Sequence, residues 1–436
     1  MLCPCEKKNK DCCLVPDISS EQIFRRVEPV LREMEKTGVL IDVDRIKQLN
    51  RQVGRRIDKL KKDILSDLGT EINLDSPSQL ADLLFNQLKL PTEDIRRTQS
   101  GYSTAAGELY KIKHAHPAIP KILKYREFTK LVSTYLEPLP KLVDERDRLH
   151  THYAQDARTG RISSSEPNLQ NIPIKGTYGA DIRKTIVAGK GNKLVSADYS
   201  QIELRIIACF SGDRQMMDAF NKNIDVHTRT ASLLFHKPEG KISKEERRFA
   251  KTINFGVLYG MSPFGLSQAL NIPQEMAAKF IFEYFHNHQG IKEYIEETTY
   301  RARKTGAVET IFGFKRKLFN IKSDNRILRE ADERMAVNTP IQGSAAEILK
   351  LAMITLNQKL DIKNQKQKDS SALPQNDMDA RPRLILTVHD ELVVECPEKQ
   401  AKEVAKLMEE VMENVVKLCV PIKVEVGIGD NWAASK

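Results

Sequence analysis

Between residues 384 and 395 the chain reads LILTVHDELVVE, an apolar run interrupted by two adjacent acids. Leu384, Ile385, Leu386 and Val388 before the acids, and Leu392, Val393 and Val394 after them, alternate and branch as strands do, which predicts a hairpin with His389 to Glu391 at its bend. No Asn-Gly, Asp-Gly or Gly-Gly pair marks that bend, so acids stand where turn formers are usual. A second strand region starts near 185, where TIVAGKGNKLVSADYS reads as two strands around a glycine-rich turn and QIELRIIACF as the helix after them. Helical spacing governs most of the rest. Residues 19 to 66 are helical except for a short strand at TGVLID, LDSPSQLADLLF opens on a Ser-Pro helix start, and helices continue to about residue 140. Helices return from 225 to about 325, including one through EERRFAKTINFGVLYG, and 331 to 436 reads helix, loop, hairpin, helix, strand. The polar stretch 363 to 383 is expected to be a flexible surface loop. The pattern is that of an α+β protein without internal repeats.

Composition narrows this only slightly. At 436 residues, 40% hydrophobic and 29% charged, the chain can bury a sizeable core in two to four domains or subdomains. Its 69 basic residues exceed its 59 acidic ones, and a formal charge of +10 favours a polyanionic partner such as nucleic acid. The basic helices before residue 140 suit a solvated bundle face as well as a clamp on a phosphate backbone. Neither an eighteen-residue apolar run nor a signal-peptide core is present, so a cytoplasmic protein without membrane contact is expected. The 7 cysteines do not form a disulfide framework. Cys3, Cys5, Cys12 and Cys13 lack the C-x₂-C knuckle of a zinc site, and residues 1–18 are expected to be a Cys-rich tail without fixed structure.

Candidate chemistry rests on acids and one helix. Asp198 follows the apolar Leu194 and Val195 and precedes a helix, which puts its carboxylate at a strand end. Ser200 and Glu203 form S-x-x-E, so a capping box accounts for Glu203 but not for Asp198. Hydration at an exposed turn would account for Asp390 and Glu391 as well as a metal would. Two aspartates on two strands could instead hold a pair of Mg²⁺ ions about 3.5–4 Å apart, the arrangement of in-line phosphoryl transfer. Arg247, Lys251, Phe255 and Tyr259 recur every fourth residue and line one face of a helix. That stripe suits a nucleotide, with cations for phosphates and rings for sugar and base; an amphipathic helix with buried rings is the plainer alternative. Gly256 and Gly260 each cost a helix about 1 kcal/mol, which points to close approach of a backbone or ligand there.

These segments carry a resemblance. DYSQIELR (198–205), RRFAKTINFGVLYG (247–260) and VHDELVVE (388–395) resemble the three polymerase motifs of family A DNA polymerases, the bacterial DNA polymerase I type. TGRISSSEPNLQNIP (159–173), DVHT (225–228), RMAVNTPIQGSAAE (334–347) and VEVGIGDNW (424–432) add to it, from about residue 20 to the C-terminus. The resemblance implies a right-hand fold with an antiparallel palm sheet, helical fingers and a helical thumb. Residues 19–44 would be a palm-associated segment, 45–146 the thumb, 147–224 and 326–436 the palm, and 225–325 the fingers. It implies a template-directed DNA polymerase acting on primer-template DNA and deoxynucleoside triphosphates with two Mg²⁺ ions. Asp198 and Asp390 would bind metal with the carbonyl of Tyr199, and Glu391 would assist. Because adjacent strand residues point to opposite faces, Asp390 is the expected ligand of the two neighbours. Arg247, Lys251 and His227 would meet the triphosphate, with Lys251 also catalytic. Phe255 would pack on the sugar and Tyr259 beside the template base; Glu203 would crowd the 2′ position, and Gln201 would also touch the nucleotide. Arg161, Asn338, Gln342 and His389 would contact the minor groove, with Arg334 a further DNA contact. Only about twenty residues precede the resemblance, so neither a proofreading exonuclease nor a 5′ nuclease is expected in this chain, which would act as a monomer. An accessory nuclease or clamp protein stays open. The competing reading is a catalytically idle primer-template binding protein, against which the intact Asp198, Asp390, Arg247 and Lys251 argue.

Overall fold

The structure is a computed structural model that describes residues 15–99, 101–155, 159–173, 176–370 and 381–436, by backbone alone from 363 to 370. The four N-terminal cysteines lie outside the described residues. The chain forms two compact units, one of residues 1–38, 151–171 and 188–436, the other of 39–150 and 172–187.

The larger unit is built on a four-stranded antiparallel sheet. Its order is Arg383–Val388, Glu391–Pro397, Asn192–Tyr199, Val424–Gly429, so Asn192–Tyr199 is paired on both sides. Val195, Ala197 and Tyr199 alternate onto the face that enters the main core, beneath helices Ala401–Asn414, Ile202–Ser211 and Arg326–Ser370. The opposite face carries a different set. Across three strands its rows read Glu391–Asp198–Glu425, then Val393–Ser196–Gly427, then Glu395–Leu194–Gly429. The predicted hairpin at 383–397 is present, and its bend is His389–Asp390, with His389 in the left-handed region at φ 55°.

Helix starts follow the sequence signals. Ser19 and Gln22 form a capping box ahead of Ser20–Thr37, and the Ser76 side chain accepts from the Gln79 N–H at the Ser-Pro start of Pro77–Ala81. The strands expected around the glycine turn near 190 both form but join different sheets: Ile186–Val187 pairs with Val39–Ile41 in the smaller unit, whereas Asn192–Tyr199 lies in the larger. One expectation, at 363, needs correction. The polar stretch expected to be a loop from 363 is helical as far as Ser370, because Arg326–Ser370 continues into it, and polar composition does not break a helix that contains no proline or glycine there; the loop expected over 371–380 lies outside the described residues. The smaller unit has its own core, in which Ile64 and Leu68 of helix Val43–Leu68 pack with Leu84, Leu109, Ile119 and Ile122.

Gly427 and Gly429 are required by a close approach rather than by a turn. A Cβ on Gly427 would collide with the Ser435 carbonyl oxygen, and one on Gly429 would stand 2.5 Å from the Ala434 carbonyl carbon. Residues 432–436 therefore lie directly on the Ser196–Asp198 face of the sheet, where Trp432 and Ser435 are fully buried. Replacing Gly427 by alanine should force this segment off the sheet at a cost of about 1–3 kcal/mol. Thermal melting and amide exchange of residues 432–436 check it: an unchanged melt with protected amides would contradict the packing described.

Candidate active site

The row Glu391–Asp198–Glu425 sets three carboxylates side by side, and the bend adds Asp390, whose carbonyl accepts the Tyr199 N–H at 3.2 Å. Asp198 keeps 43% of its side chain exposed, yet the protein packed around it withholds enough water to push its pKa up to about 6, with the neighbouring Glu391 and Asp390 charges adding to the rise and Lys436 opposing it. Burial raises Asp390 too. Glu391 faces Asp198 directly across the strands, so the rule that adjacent residues take opposite faces does not separate it from the pair. What separates it is saturation. Its Oε1 accepts from the Ser196 hydroxyl and from Trp432 Nε1 (2.8 Å), and its Oε2 from Lys436 Nζ (2.8 Å). Asp198 and Asp390, unlike Glu391, keep carboxylate oxygens able to take a new cation, while Glu425 stands exposed at the outer strand of the row.

Those two residues fit a divalent ion. Two carboxylates held close and driven toward their neutral forms are stabilised by a positive charge between them. Among the described residues no three His, Cys, Asp or Glu side chains converge as a closed metal cage. An open set of this kind suits a hard cation that keeps water and substrate phosphates as its remaining ligands. Beside it, Arg205 is buried and donates from Nε to the Ser200 carbonyl (2.8 Å) and from Nη1 to the Pro421 carbonyl, which fixes the junction just after Tyr199.

Glu203 departs from expectation. The helix begins at Ile202 with Gln201 as its N-cap residue at φ 57° and no side-chain cap, so the Ser200–Glu203 capping box does not form. Gln201 in that left-handed geometry bends the chain too sharply for Ser200 to reach the helix N–H groups. Glu203 instead pairs with Arg161 and is 7% exposed, burial pushing its pKa up to about 6 against the pull of that arginine. An expected nucleotide contact and an expected DNA contact thus hold each other.

On helix Lys244–Leu258, Arg247, Lys251 and Phe255 share a face, and Tyr259 follows as the C-cap residue, its ring 6.5 Å from that of Phe255. Lys251 is exposed. Arg247 grips Asp225 with two bonds, Nε to Oδ1 at 2.9 Å and Nη2 to Oδ2 at 2.7 Å. Burial would raise Asp225, but the bonds from Arg247 and Thr228 outweigh it and hold the acid at about 2. Asp225 also caps Val226–Phe235, which carries His227. His227 is buried; Asn254 Nδ2 lies 3.0 Å from its Nδ1, while Thr230 donates to Asn254 Oδ1. With Nδ1 accepting, the neutral ring carries its proton on Nε2 as a donor. Burial, aided by Lys251 and Arg247, pushes its pKa down to about 4 against the pull of Asp225. The two glycines are crowded by side chains and not by the expected backbone or ligand: a Cβ would meet Met261 Sδ at 2.8 Å on Gly256, and Arg334 Cγ at 2.8 Å on Gly260.

Arg334, Asn338 and Gln342 line one face of helix Arg326–Ser370, four residues apart. The Asn338 Oδ1 is buried without a hydrogen-bond partner, and His389 is exposed at the hairpin tip. Gly343 lets this helix meet the segment leading to Arg161, since a Cβ there would stand 3.2 Å from the Thr159 carbonyl. Sequence reasoning missed Ser196, Asp225, Trp432, Glu425 and Lys436. The signals were present in the alternation of VEVGIG and in the chain's single tryptophan, but not the register that brings them to Asp198.

The family model for DNA polymerase family A matches residues 43–434. The chain belongs to that family. It is 44% identical to the thermostable DNA polymerase I of Thermus aquaticus over 95% of its length and 48% of that protein's. It is also 44% identical to DNA polymerase I of Deinococcus radiodurans (95% and 42%), and 40% identical to that of Bacillus subtilis (95% and 46%). The chain thus spans about half the length of these family A relatives. A solved structure described as the POL domain of Pol1 from M. smegmatis in complex with DNA primer-template and dNTP superposes with a TM-score of 0.86 at 39% identity, covering 94% of this chain and 70% of that one. The α+β right-hand fold expected from the motifs is borne out, as is the family A resemblance itself. No helix among the described residues is long and apolar enough to cross a membrane.

A neutral His227 has a pH consequence. Its folded pKa of about 4 lies below the usual 6.5, so its contribution to stability is present above about pH 6.5 and is lost as pH falls toward 4. In an NMR titration the ring resonances of His227 should move with a midpoint near pH 4 and stay those of neutral imidazole around neutral pH; a midpoint near 6.5 would contradict its burial against Asn254.

Proposed function

We propose that this chain is a template-directed DNA polymerase that adds deoxynucleotides to a primer 3′ end by phosphoryl transfer assisted by two Mg²⁺ ions. The observation that carries this is the juxtaposition of Asp198 near the end of its strand and Asp390 on the adjoining hairpin bend, both carboxyls pushed toward neutrality, within a family A fold. When bound, the two ions would lower the pKa of the attacking primer hydroxyl and neutralise charge on the leaving oxygens.

The chain's own residues supply the rest. Asp198, Asp390 and the Tyr199 carbonyl would hold the metals, while Glu391, fixed by Ser196, Trp432 and Lys436, supports the acid row without ligating. Lys251 would meet the triphosphate and donate to the leaving group. Arg247 would bind phosphate in the bidentate mode it now uses on Asp225, whose carboxylate a phosphate resembles in geometry. His227, neutral and donating from Nε2, would add a bond to phosphate whose strength does not change near neutral pH. Phe255 would pack on the sugar, Tyr259 beside the template base, and Glu203 and Gln201 against the nucleotide, with the Arg161–Glu203 pair setting where the 2′ position is crowded. Arg334, Asn338 and Gln342, with Arg161 and His389, would track the minor groove of primer-template DNA. In this reading 45–146 serves as thumb, 225–325 as fingers and the remainder from 19 as palm.

The test is extension of a labelled primer on a DNA template with Mg²⁺ and deoxynucleotides, comparing wild type with Asp198→Asn and Asp390→Asn. Each variant should lose at least about a thousand-fold in rate while still binding the primer-template. Tight DNA binding by a wild type that extends nothing would leave the idle binding protein as the better account.

A further inference from the structure

The residue that closes the acid row belongs to none of the roles above. The Lys436 side chain is 31% exposed, and its Nζ lies 2.8 Å from Glu391 Oε2 and 3.6 Å from Asp198 Oδ2. It is delivered there by construction. Gly427 and Gly429 leave the room in which residues 434 and 435 lie against the sheet; Ser435 is fully buried, its N–H bonded to the Asn431 carbonyl and its hydroxyl to that of Trp432. Trp432 in turn donates to the same Glu391. One short segment thus places an indole N–H and an ammonium on one carboxylate, beside a second carboxylate.

We propose that Lys436 is a positioning residue of the metal site, a resident counter-cation that holds Glu391 and yields Asp198 to an incoming divalent ion. The inference rests on the reading of Asp198 as a metal ligand. Three facing carboxylates repel one another, and an ammonium between two of them offsets that repulsion while no ion is bound. The contact to Glu391 is the shorter, and the remaining oxygen of Glu391 is already occupied by Ser196 and Trp432. Glu391 therefore keeps Lys436, and the longer contact to Asp198 is the one that breaks. An ammonium so close to Asp198 opposes a second cation there, so it weakens metal binding and keeps Asp198 from holding an ion too tightly to exchange.

Trp432 is the chain's single tryptophan, fully buried and bonded to the acid that Lys436 holds, so its emission reports on the site without turnover. Mn²⁺ is titrated into the full chain without DNA, with quenching of Trp432 as the readout and Mg²⁺ as competitor. Wild type is compared with Lys436→Met, Lys436→Arg and Asp198→Asn. Lys436→Met should bind Mn²⁺ more tightly, by on the order of ten-fold, and Lys436→Arg, which keeps the charge, should stay near wild type. The Mg²⁺ concentration for half-maximal primer extension should fall in the same order. Equal or weaker binding by Lys436→Met with an unchanged circular dichroism spectrum overturns the proposal, as does a Lys436→Arg variant that behaves like Lys436→Met. A wild type that does not respond, or an Asp198→Asn variant that responds as wild type does, would instead overturn the metal reading on which the proposal stands.

Discussion

The pairing register of strand Asn192–Tyr199 is the constraint on which the site depends. With antiparallel neighbours on both sides, it sets Glu391 and Glu425 directly opposite Asp198, an arrangement of like charges that a sheet ordinarily avoids. Hydrophobic packing enforces it. A slip of one residue would turn Val195, Ala197 and Tyr199 out of the core and Ser196 and Asp198 into it, so the alternation that buries one face fixes the acids on the other. The repulsion is then managed locally, by donors from Ser196, Trp432 and Lys436 on Glu391, by exposure of Glu425, and by the raised pKa of Asp198.

A common physical device links the groups placed at this centre. Arg247 is held by Asp225, Arg161 by Glu203 and Asp198 by Lys436, so these three charged groups that would meet a ligand each have a protein partner of opposite sign. Such partners spare a buried or half-buried charge the cost of standing alone and fix the side chain in a rotamer before a ligand arrives. His227 solves the same problem by giving up its charge, with Asn254 and Thr230 fixing which nitrogen keeps the proton.

Much of this was legible from local pattern. The hairpin at 383–397, the strand ending at Asp198 and the stripe of Arg247, Lys251 and Phe255 follow from alternation and four-residue spacing, and the family resemblance rests on long motifs in order. The failures share a cause: each depended on contacts distant in sequence or on one backbone angle. Glu203 looked like a capping residue until Gln201 took a left-handed conformation and Arg161, 42 residues away, claimed its carboxylate. Glu391 looked excluded by strand alternation, yet the cross-strand register brings it to Asp198 and only its three donors set it apart. Lys436 carried no signal in sequence because its place is set by what Gly427 and Gly429 lack.

The fold holds Asp198 ionised at pH 7 at a cost that a bound divalent cation would relieve. Thermal melting of wild type and Asp198→Asn at pH 7, in a chelator and in millimolar Mg²⁺ or Mn²⁺, tests it most directly. The raised pKa means that the charged carboxylate opposes folding at this pH, so the asparagine variant should melt higher than wild type in chelator and gain less from the metal. A variant that melts lower in chelator and gains as much from the cation as wild type would contradict the account.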